Sequence, residues 1–288
     1  MCTDIVVMDE IDKYINNFAS RSFRDIADCD YINARICYRA HLVSQFHWSA
    51  LQAIEKYYKA ILLYNRIKAP KIGHSLSEAQ RHTKQLPFTI KLSETSTKLI
   101  EHLDPYGRFR YLDSSYFIKG PVLVELDKAV WELRRYCRVI NYNVILSDGS
   151  EPINMLEHKL EDIESAEENP RNYYKLRQGK LEEIIKNETH HARASLIWQN
   201  GYYGNTELKD VSIPTYTYAE NAPLSIYPDM LDKLVEYIKI PSEVVKAYRE
   251  KSNGQLLDQI SGCVGRLQMK NILLKACSSF VHLYLRNY

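Results

Sequence analysis

The spacing of apolar residues between positions 31 and 66 constrains the fold more than any other feature of this chain. One side of a helix drawn through this stretch carries only apolar and aromatic side chains: Ala50, Ile54, Tyr57, Tyr58, Ile61 and Leu62. The opposite side carries polar side chains at offsets of three and four: Gln52, Glu55, Lys56 and Lys59. This period predicts an amphipathic helix that ends at Pro70 and Gly73.

Two further stretches of the first half have the same helical period. Apolar residues recur at helical spacing over 89–103, at Ile90, Leu92, Leu99, Ile100 and Leu103. A better specified helix starts at Pro121, which suits a first-turn position. Its apolar seam extends over Leu123, Leu126, Val130, Leu133, Cys137 and Ile140. These helices predict an all-α fold for residues 1–149, with a domain boundary at Ser147, Asp148 and Gly149.

The second half, residues 150–288, is predicted to be a smaller and mostly helical region. Its helical pattern over about 153–200 is interrupted at Glu168–Asn169–Pro170. Residues 201–228 hold several Gly, Pro and Tyr, and the alternation TYTY within them indicates an irregular aromatic loop with one short strand. Short helices are expected after Pro228 and Pro241, and 254–288 has a helical pattern interrupted by glycines.

Charge and cysteine content exclude several classes of protein. The 38 Lys and Arg residues nearly balance the 36 Asp and Glu, leaving +2, so no global positive field attracts nucleic acid. Six cysteines without a CxxC pair argue against a zinc site or a disulfide framework and fit a reducing cytoplasm. The apolar stretch 272–285 is too short for a membrane span. We therefore expect a cytoplasmic protein with no metal, no other cofactor and no membrane partner.

The segment HWSALQAIEKYYKAILLYNRIKAPKIGHSL, residues 47–76, resembles the HEPN family, the higher-eukaryote and prokaryote nucleotide-binding helical domains. The residues that carry the resemblance are Gln52, Glu55, Lys56, Lys59, Ala60, Gly73, His74 and Leu76. The later stretch PVLVELDKAVWELRRYC is similar to the closing helix of the same family, so the resemblance covers about residues 25–145. It implies an up-and-down helical bundle, often dimeric, in proteins of RNA cleavage, phage defence, toxin–antitoxin pairs and nucleotide binding.

Catalytic members of this family resemble metal-independent RNases. On their closing helix, at a dimer interface, an Arg is followed by a His after four to six intervening residues. There the His would move a proton and the Arg would stabilise phosphate charge. This chain departs from that pattern, because no histidine occurs in VINYNVILSDGS after Arg138. The formal match RICYRAH, from Arg35 to His41, lies on another helix, and surface or packing roles explain it better.

Seven residues are candidates for binding a nucleotide or RNA: Arg134, Arg135, Arg138, His74, Lys56, Arg108 and Arg110. The three arginines of the closing helix either bind phosphate or interact with the unpaired carbonyls at the helix end. His74 and Lys56 also suit a structural turn and a solvated helix face. Arg108 and Arg110 alternate with aromatic residues in YGRFRY, a composition that binds single-stranded nucleic acid or anchors a loop.

The leading hypothesis is a HEPN protein of bacterial defence or toxin–antitoxin type that forms a homodimer and binds a nucleotide, RNA or a protein partner. The missing Arg–His motif favours binding over catalysis. One alternative is a metal-independent RNase in which Arg138 pairs with a histidine from elsewhere in the dimer. Another is a non-enzymatic scaffold that docks a partner through the tyrosines of residues 201–228.

Overall fold

The computed structural model describes residues 5–7, 9–70, 72–104, 116–145, 151–165, 176, 178–204, 206–212, 217–220 and 230–240, with four positions between 242 and 249. The chain is mostly helical. Its α-helices are α1 (Glu10–Phe18), α2 (Asp25–Arg39), α3 (Val43–Tyr64), α4 (Leu76–Thr83), α5 (Glu94–Leu103), α6 (Val122–Arg134), α7 (Leu156–Glu164), α8 (Lys180–Lys186), α9 (Arg193–Ile197) and α10 (Leu231–Tyr237). A π-helix, Ala19–Arg24, joins α1 to α2, and Leu208–Asp210 form a 3-10 turn.

The core is centred on α2 and α3, which pack against each other along most of their lengths. The predicted apolar face of α3 is confirmed, because all six of its residues are buried: Ala50, Ile54, Tyr57, Tyr58, Ile61 and Leu62. The stretch from residue 31 onward contains two helices instead of one, since α2 ends at Arg39 and α3 begins at Val43. His41, with a φ of 58°, lies in the three-residue connection that separates them.

Helices α5 and α6 complete the packing around α3. The Ser93 hydroxyl caps α5 by accepting a hydrogen bond from the Ser96 amide at 3.3 Å. α6 begins directly after Pro121, as predicted, but it ends at Arg134, so the prediction of a helix up to Ile140 is wrong. Cys137 and Ile140 are still buried, because the turns that follow α6 continue to pack on the core.

Two small antiparallel sheets accompany the helices in the described residues. Strands β1 (Ile5–Val7), β3 (Asn143–Ile145) and β4 (Ile153–Asn154) pair in the order β1-β3-β4. Strands β2 (Tyr116–Lys119) and β5 (Thr217–Glu220) form the second sheet, with Phe117 opposite Ala219. The prediction of an all-α fold is therefore correct only as a mostly helical chain. β5 lies in the aromatic loop where one short strand is predicted.

Residues 156–165 and 178–204 pack into the same apolar core as the helices that precede them. Their buried apolar side chains include Ile163, Leu181, Ile184, Leu196, Tyr202 and Tyr203. The chain divides into two compact units, 1–222 and 223–288, and the predicted boundary near residue 149 lies within the first of them. In the second unit α10 follows Pro228, where a short helix is predicted.

Three predictions concern parts of the chain outside the described residues. They are the helix break at Glu168–Pro170, the loop with Arg108 and Arg110, and the segment 254–288. Among the helices that the structure describes, none combines the length and the apolar character that crossing a membrane requires.

Candidate functional site

Arg134, the central arginine candidate, lies at the end of α6 and is only 1% exposed. Its Nε and Nη2 donate to the two carboxylate oxygens of Asp28 on α2, at 2.7 and 2.8 Å. Its Nη1 and Nη2 donate to the two oxygens of Glu182 on α8, at 2.7 Å each. The rigid guanidinium fork therefore makes two bidentate ion pairs inside the protein. The prediction that Arg134 binds a ligand is corrected, since neither solvent nor phosphate reaches its donors.

Two further donors complete the site around Asp28. The Tyr57 hydroxyl donates to Oδ1 at 2.6 Å, and the Leu181 amide donates to Oδ2 at 3.3 Å. Burial raises the pKa of Tyr57 well above its ordinary value, so the hydroxyl keeps its proton and remains a donor. Burial alone would lower the pKa of Arg134, but the carboxylates of Asp28 and Glu182 raise that pKa well above normal. The guanidinium is therefore charged at every physiological pH.

A second buried ion pair joins Arg35 of α2 to Asp127 of α6, with both side chains at most 2% exposed. The Tyr31 hydroxyl donates to the same Asp127 oxygen at 2.6 Å. On its other edges Arg35 donates to the carbonyl oxygens of Ser195, at 3.0 Å, and Trp198. These carbonyls lie at and just beyond α9, so Arg35 connects α2 to the segment that follows α8.

Together the two ion pairs attach residues 176–200 to the face formed by α2 and α6. Asn200 adds to this attachment, because its side-chain amide donates to the Tyr31 hydroxyl at 2.9 Å. An Arg35–His41 site is thereby excluded, since the guanidinium of Arg35 is buried while His41 is exposed. The chain itself therefore covers part of α6.

The other two arginines of the closing segment also lie against the protein. Arg135 is 2% exposed, donates from Nη1 to the Ile163 carbonyl at 2.9 Å, and lies 4.1 Å from the centre of the Trp131 ring. The prediction that Arg135 binds a ligand is therefore corrected as well, because its donors, like those of Arg134, are buried. Arg138 is half-buried in the turn after α6. The arginines that the helical pattern groups together are therefore not one exposed basic patch.

Lys56 and His74 are accessible, but carboxylates engage both. The Lys56 ammonium donates to Asp30 at 2.5 Å and to the Gln52 side chain at 3.0 Å. Glu55, only 3% exposed, accepts from Lys59 at 2.6 Å and contacts Nδ1 of His74 at 3.0 Å. Glu55 therefore holds the loop before α4 against α3, which gives the family-like residues a structural role.

The sequence has a local excess of positive charge in the segment that carries α4, although carboxylates outside this segment pair with Lys56, Lys59, Arg66 and Lys91. Between Lys56 and Ser93 the chain has eight Lys or Arg residues and one acidic residue, Glu78. This excess of seven exceeds the +2 of the whole chain, so the remaining residues carry a net −5. Sequence reasoning missed it because the global balance conceals a local asymmetry, which a running charge count would have revealed.

A cleft of about 630 Å³ lies on this basic segment, between α4 and the chain that follows it. Its polar lining consists of Ser77, Gln80, Arg81, Thr83, Lys84 and Thr89. Its apolar lining consists of Leu86, Pro87, Phe88 and Ile90. The cleft therefore brings two cations, three hydroxyl groups and one aromatic ring together on the surface.

The two cations of the cleft differ in their partners. Arg81, with its side chain 60% exposed, is held by Glu78 on the same helix, at 3.0 Å from Nε and 2.9 Å from Nη2. The ammonium group of Lys84 makes no ion pair with any described residue, and the side chain is exposed. Phe88 stacks on Tyr136 with ring centres 5.7 Å apart and an interplanar angle of 8°. This contact fixes the position of the Phe88 ring at the cleft.

Two other kinds of site find no support in the described residues. Burial raises the pKa of the thiols of Cys29, Cys37 and Cys137, which keeps them protonated and poorly nucleophilic. No group of three His, Cys, Asp or Glu side chains with the arrangement of a metal site occurs in the described part of the chain. The cleft is therefore the candidate for ligand binding that we consider in the described part of the chain.

Comparisons of this chain with protein-family models, with curated proteins and with solved structures find no match.

Proposed function

We propose that this protein is a HEPN-like helical protein that binds RNA or a nucleotide at the α4 cleft, and that it is not an RNase acting through the closing helix. The observation that carries the proposal is the meeting of Arg81, Lys84 and the Phe88 ring in one cleft on the basic segment that carries α4. Cations of this kind bind phosphate oxygens, and an aromatic ring stacks on a base.

The chemistry of the cleft favours binding over cleavage. General acid–base catalysis needs a proton acceptor and a proton donor, usually His or a carboxylate, within hydrogen-bonding reach of the substrate. Neither His, Asp nor Glu occurs among the ten residues that line the cleft, all of them described, and the carboxylate of Glu78 beside it is engaged by Arg81. Hydroxyl groups such as those of Ser77 and Thr89 donate to phosphate without reacting, so we propose a binding protein.

The HEPN resemblance supports the other parts of the hypothesis. The family-like residues of 47–76 are the basis for three of these parts: a homodimer, a protein partner, and a place in phage defence or a toxin–antitoxin pair. Buried contacts account for Arg134 and Arg135, so nucleotide binding is not proposed for either residue.

Fluorescence anisotropy with a labelled single-stranded RNA of about 12 nucleotides tests the cleft directly. We expect Arg81→Glu combined with Lys84→Glu to weaken binding at least about tenfold, because both cations then repel phosphate. The slope of log affinity against log salt should become smaller by roughly 1 to 1.5, as two phosphate contacts are lost. Competition by ATP would extend the proposal to mononucleotides.

The matched control is Lys98→Glu combined with Lys186→Glu, which reverses two exposed charges on α5 and α8, away from the cleft. This pair should bind RNA with nearly wild-type affinity. Equal losses in the two double variants, or no binding by the wild type, would contradict the cleft as the site. Metal-free cleavage of the RNA that disappears in Arg138→Ala would instead favour the RNase alternative.

A further inference from the structure

Helix α1 has an apolar stripe that faces solvent. Ile11, Tyr14 and Phe18 recur at offsets of three and four, and they are 68%, 66% and 61% exposed. No residue of α1 is buried. Three large apolar side chains in one row on a helix form a contiguous patch of the kind that marks an interaction surface.

Polar contacts attach α1 to the rest of the protein. Arg66, just after α3, donates from Nε to Asp12 at 2.9 Å and from Nη1 to Asn16 at 3.0 Å. The Ser20 hydroxyl lies 2.6 Å from the Tyr64 hydroxyl. The usual orientation of an amphipathic helix is therefore reversed, with polar residues toward the protein and the stripe toward solvent. These contacts fix the stripe in place without covering it.

We propose that the α1 stripe binds the α1 stripe of a second copy of this chain, with the two helices antiparallel. Antiparallel pairing about a two-fold axis near Tyr14 places Ile11 of each copy against Phe18 of the other. Such an interface is self-complementary, as a closed homodimer requires.

The charges beside the stripe have the same two-fold complementarity. Glu10 begins α1 and Arg21 lies in the π-helix that follows it, so the two residues lie close to opposite ends of the stripe. With about 100° per residue through α1 and a smaller angle through the wider π-helix, both fall on the same flank. Flanks of the same kind meet in an antiparallel pair, so Glu10 of each copy approaches Arg21 of the other. Arg21 is exposed and makes no ion pair with any described residue of its own chain. This charge pattern selects a second copy over an unrelated partner.

The inference rests on the homodimer of the proposed function and names its surface, and it is independent of RNA binding, because α1 contributes no residue to the α4 cleft. Sedimentation equilibrium of the full chain at roughly 10–100 µM should show a dimer. Phe18→Asp should weaken the dimer at least about tenfold while its melting temperature at low concentration stays unchanged. The control Ile36→Asp, at an apolar residue of α2 that is 43% exposed, should leave the dimer intact. A monomeric wild type or a dimeric Phe18→Asp would overturn the inference.

Charge-reversal variants test the antiparallel orientation and leave the three residues of the α1 stripe unchanged. Glu10→Arg and Arg21→Glu should each associate less than the wild type, because like charges then meet across the interface. An equimolar mixture of the two variants should form a heterodimer. In it the new cation of Glu10→Arg faces the new carboxylate of Arg21→Glu, and the unchanged Glu10 of one copy faces the unchanged Arg21 of the other. Association of both single variants that is weaker than that of the wild type, together with formation of this heterodimer, supports antiparallel pairing, because a parallel pair would already place Glu10 against Glu10 in the wild type. Single variants that associate as well as the wild type, or a mixture no more associated than either variant alone, would overturn it.

Discussion

Arg134 and Arg81 carry the same guanidinium group at the ends of two helices, yet their surroundings give them different roles. Arg134 is 1% exposed and makes bidentate pairs with Asp28 and Glu182. Arg81 has a side chain that is 60% exposed and one carboxylate partner on its own helix. The comparison shows that the partners of an arginine decide whether it holds the fold together or remains accessible to a ligand.

The ion pairs at the α4 cleft and at the α2–α6 face also differ in how much they contribute to stability. An exposed ion pair such as Arg81–Glu78 contributes only about 0–1 kcal/mol, so a phosphate can compete for the cation at little expense in stability. In the buried network each carboxylate depends on a guanidinium, and removing one partner leaves an uncompensated charge in a medium of low polarity. We therefore expect substitutions at the α2–α6 face to affect stability and substitutions at the cleft to affect binding.

The largest expected effect is that of Arg134→Met. The change leaves Asp28 and Glu182 buried without their cation, and should lower the free energy of unfolding by about 3–5 kcal/mol. Urea denaturation followed by circular dichroism measures it. Lys84→Met, at an exposed lysine of the cleft, should change stability by less than about 0.5 kcal/mol. A loss below about 1 kcal/mol in Arg134→Met would remove the distinction between the two regions.

A glycine substitution tests how tightly the network is packed. A Cβ at Gly179 would lie 2.2 Å from Oε2 of Glu182 and 2.6 Å from Nη2 of Arg134, so these ion-paired groups must shift. Gly179→Ala should therefore destabilise the protein by about 1–3 kcal/mol. Gly73→Ala is the matched control, since a Cβ there meets nothing within 4 Å, and thermal unfolding should show it neutral or slightly stabilising. Equal effects at the two glycines would contradict a close-packed network.

Alkaline pH provides a smaller and graded test. Burial raises the pKa of Tyr31, Tyr57 and Tyr203 in the folded protein, whereas unfolded tyrosines titrate near pH 10. Their contribution to stability is thus fully present below about pH 10 and is lost as pH rises further, by about 1.4 kcal/mol per pH unit for each group. Urea unfolding between about pH 8 and 11 should show a shallower decline in Tyr57→Phe than in the wild type.

Tyr237→Phe is the control for this titration, because the Tyr237 side chain belongs to the second compact unit and is 81% exposed. Its stability should follow the wild-type pH dependence. Parallel curves for the wild type, Tyr57→Phe and Tyr237→Phe would mean that the buried hydroxyl groups do not hold their protons in the folded state.

Local features of the fold are predictable from the sequence where the physics is local. The apolar period of α3 and the helix start after Pro121 follow from residues within one or two turns. The strands are harder to predict from the sequence. Segments of two to four residues are too short to show a clear alternation of polar and apolar side chains, and they form only by pairing with another strand.

The candidate sites depend still more on distant partners. Asp28 and Glu182 lie 106 and 48 positions from Arg134 in the sequence, so no local pattern shows that the arginine is buried. The grouping of arginines at 134, 135 and 138 and the resemblance to a closing helix gave Arg134 and Arg135 a ligand-binding role, while a structural role at the helix end was the alternative. Charge density, in contrast, is a local property, and counting it over residues 56–93 identifies the basic segment of the cleft without any structure.

Hydrogen exchange with and without the single-stranded RNA compares the two regions in a single experiment. The central claim is that anionic ligands bind at the α4 cleft and that the α2–α6 face serves only to attach residues 176–200. We predict that RNA slows amide exchange in residues 77–90 and leaves residues 129–138 and 178–204 unchanged. Protection of residues 129–138 or 178–204, with exchange in 77–90 unaltered, would contradict the claim.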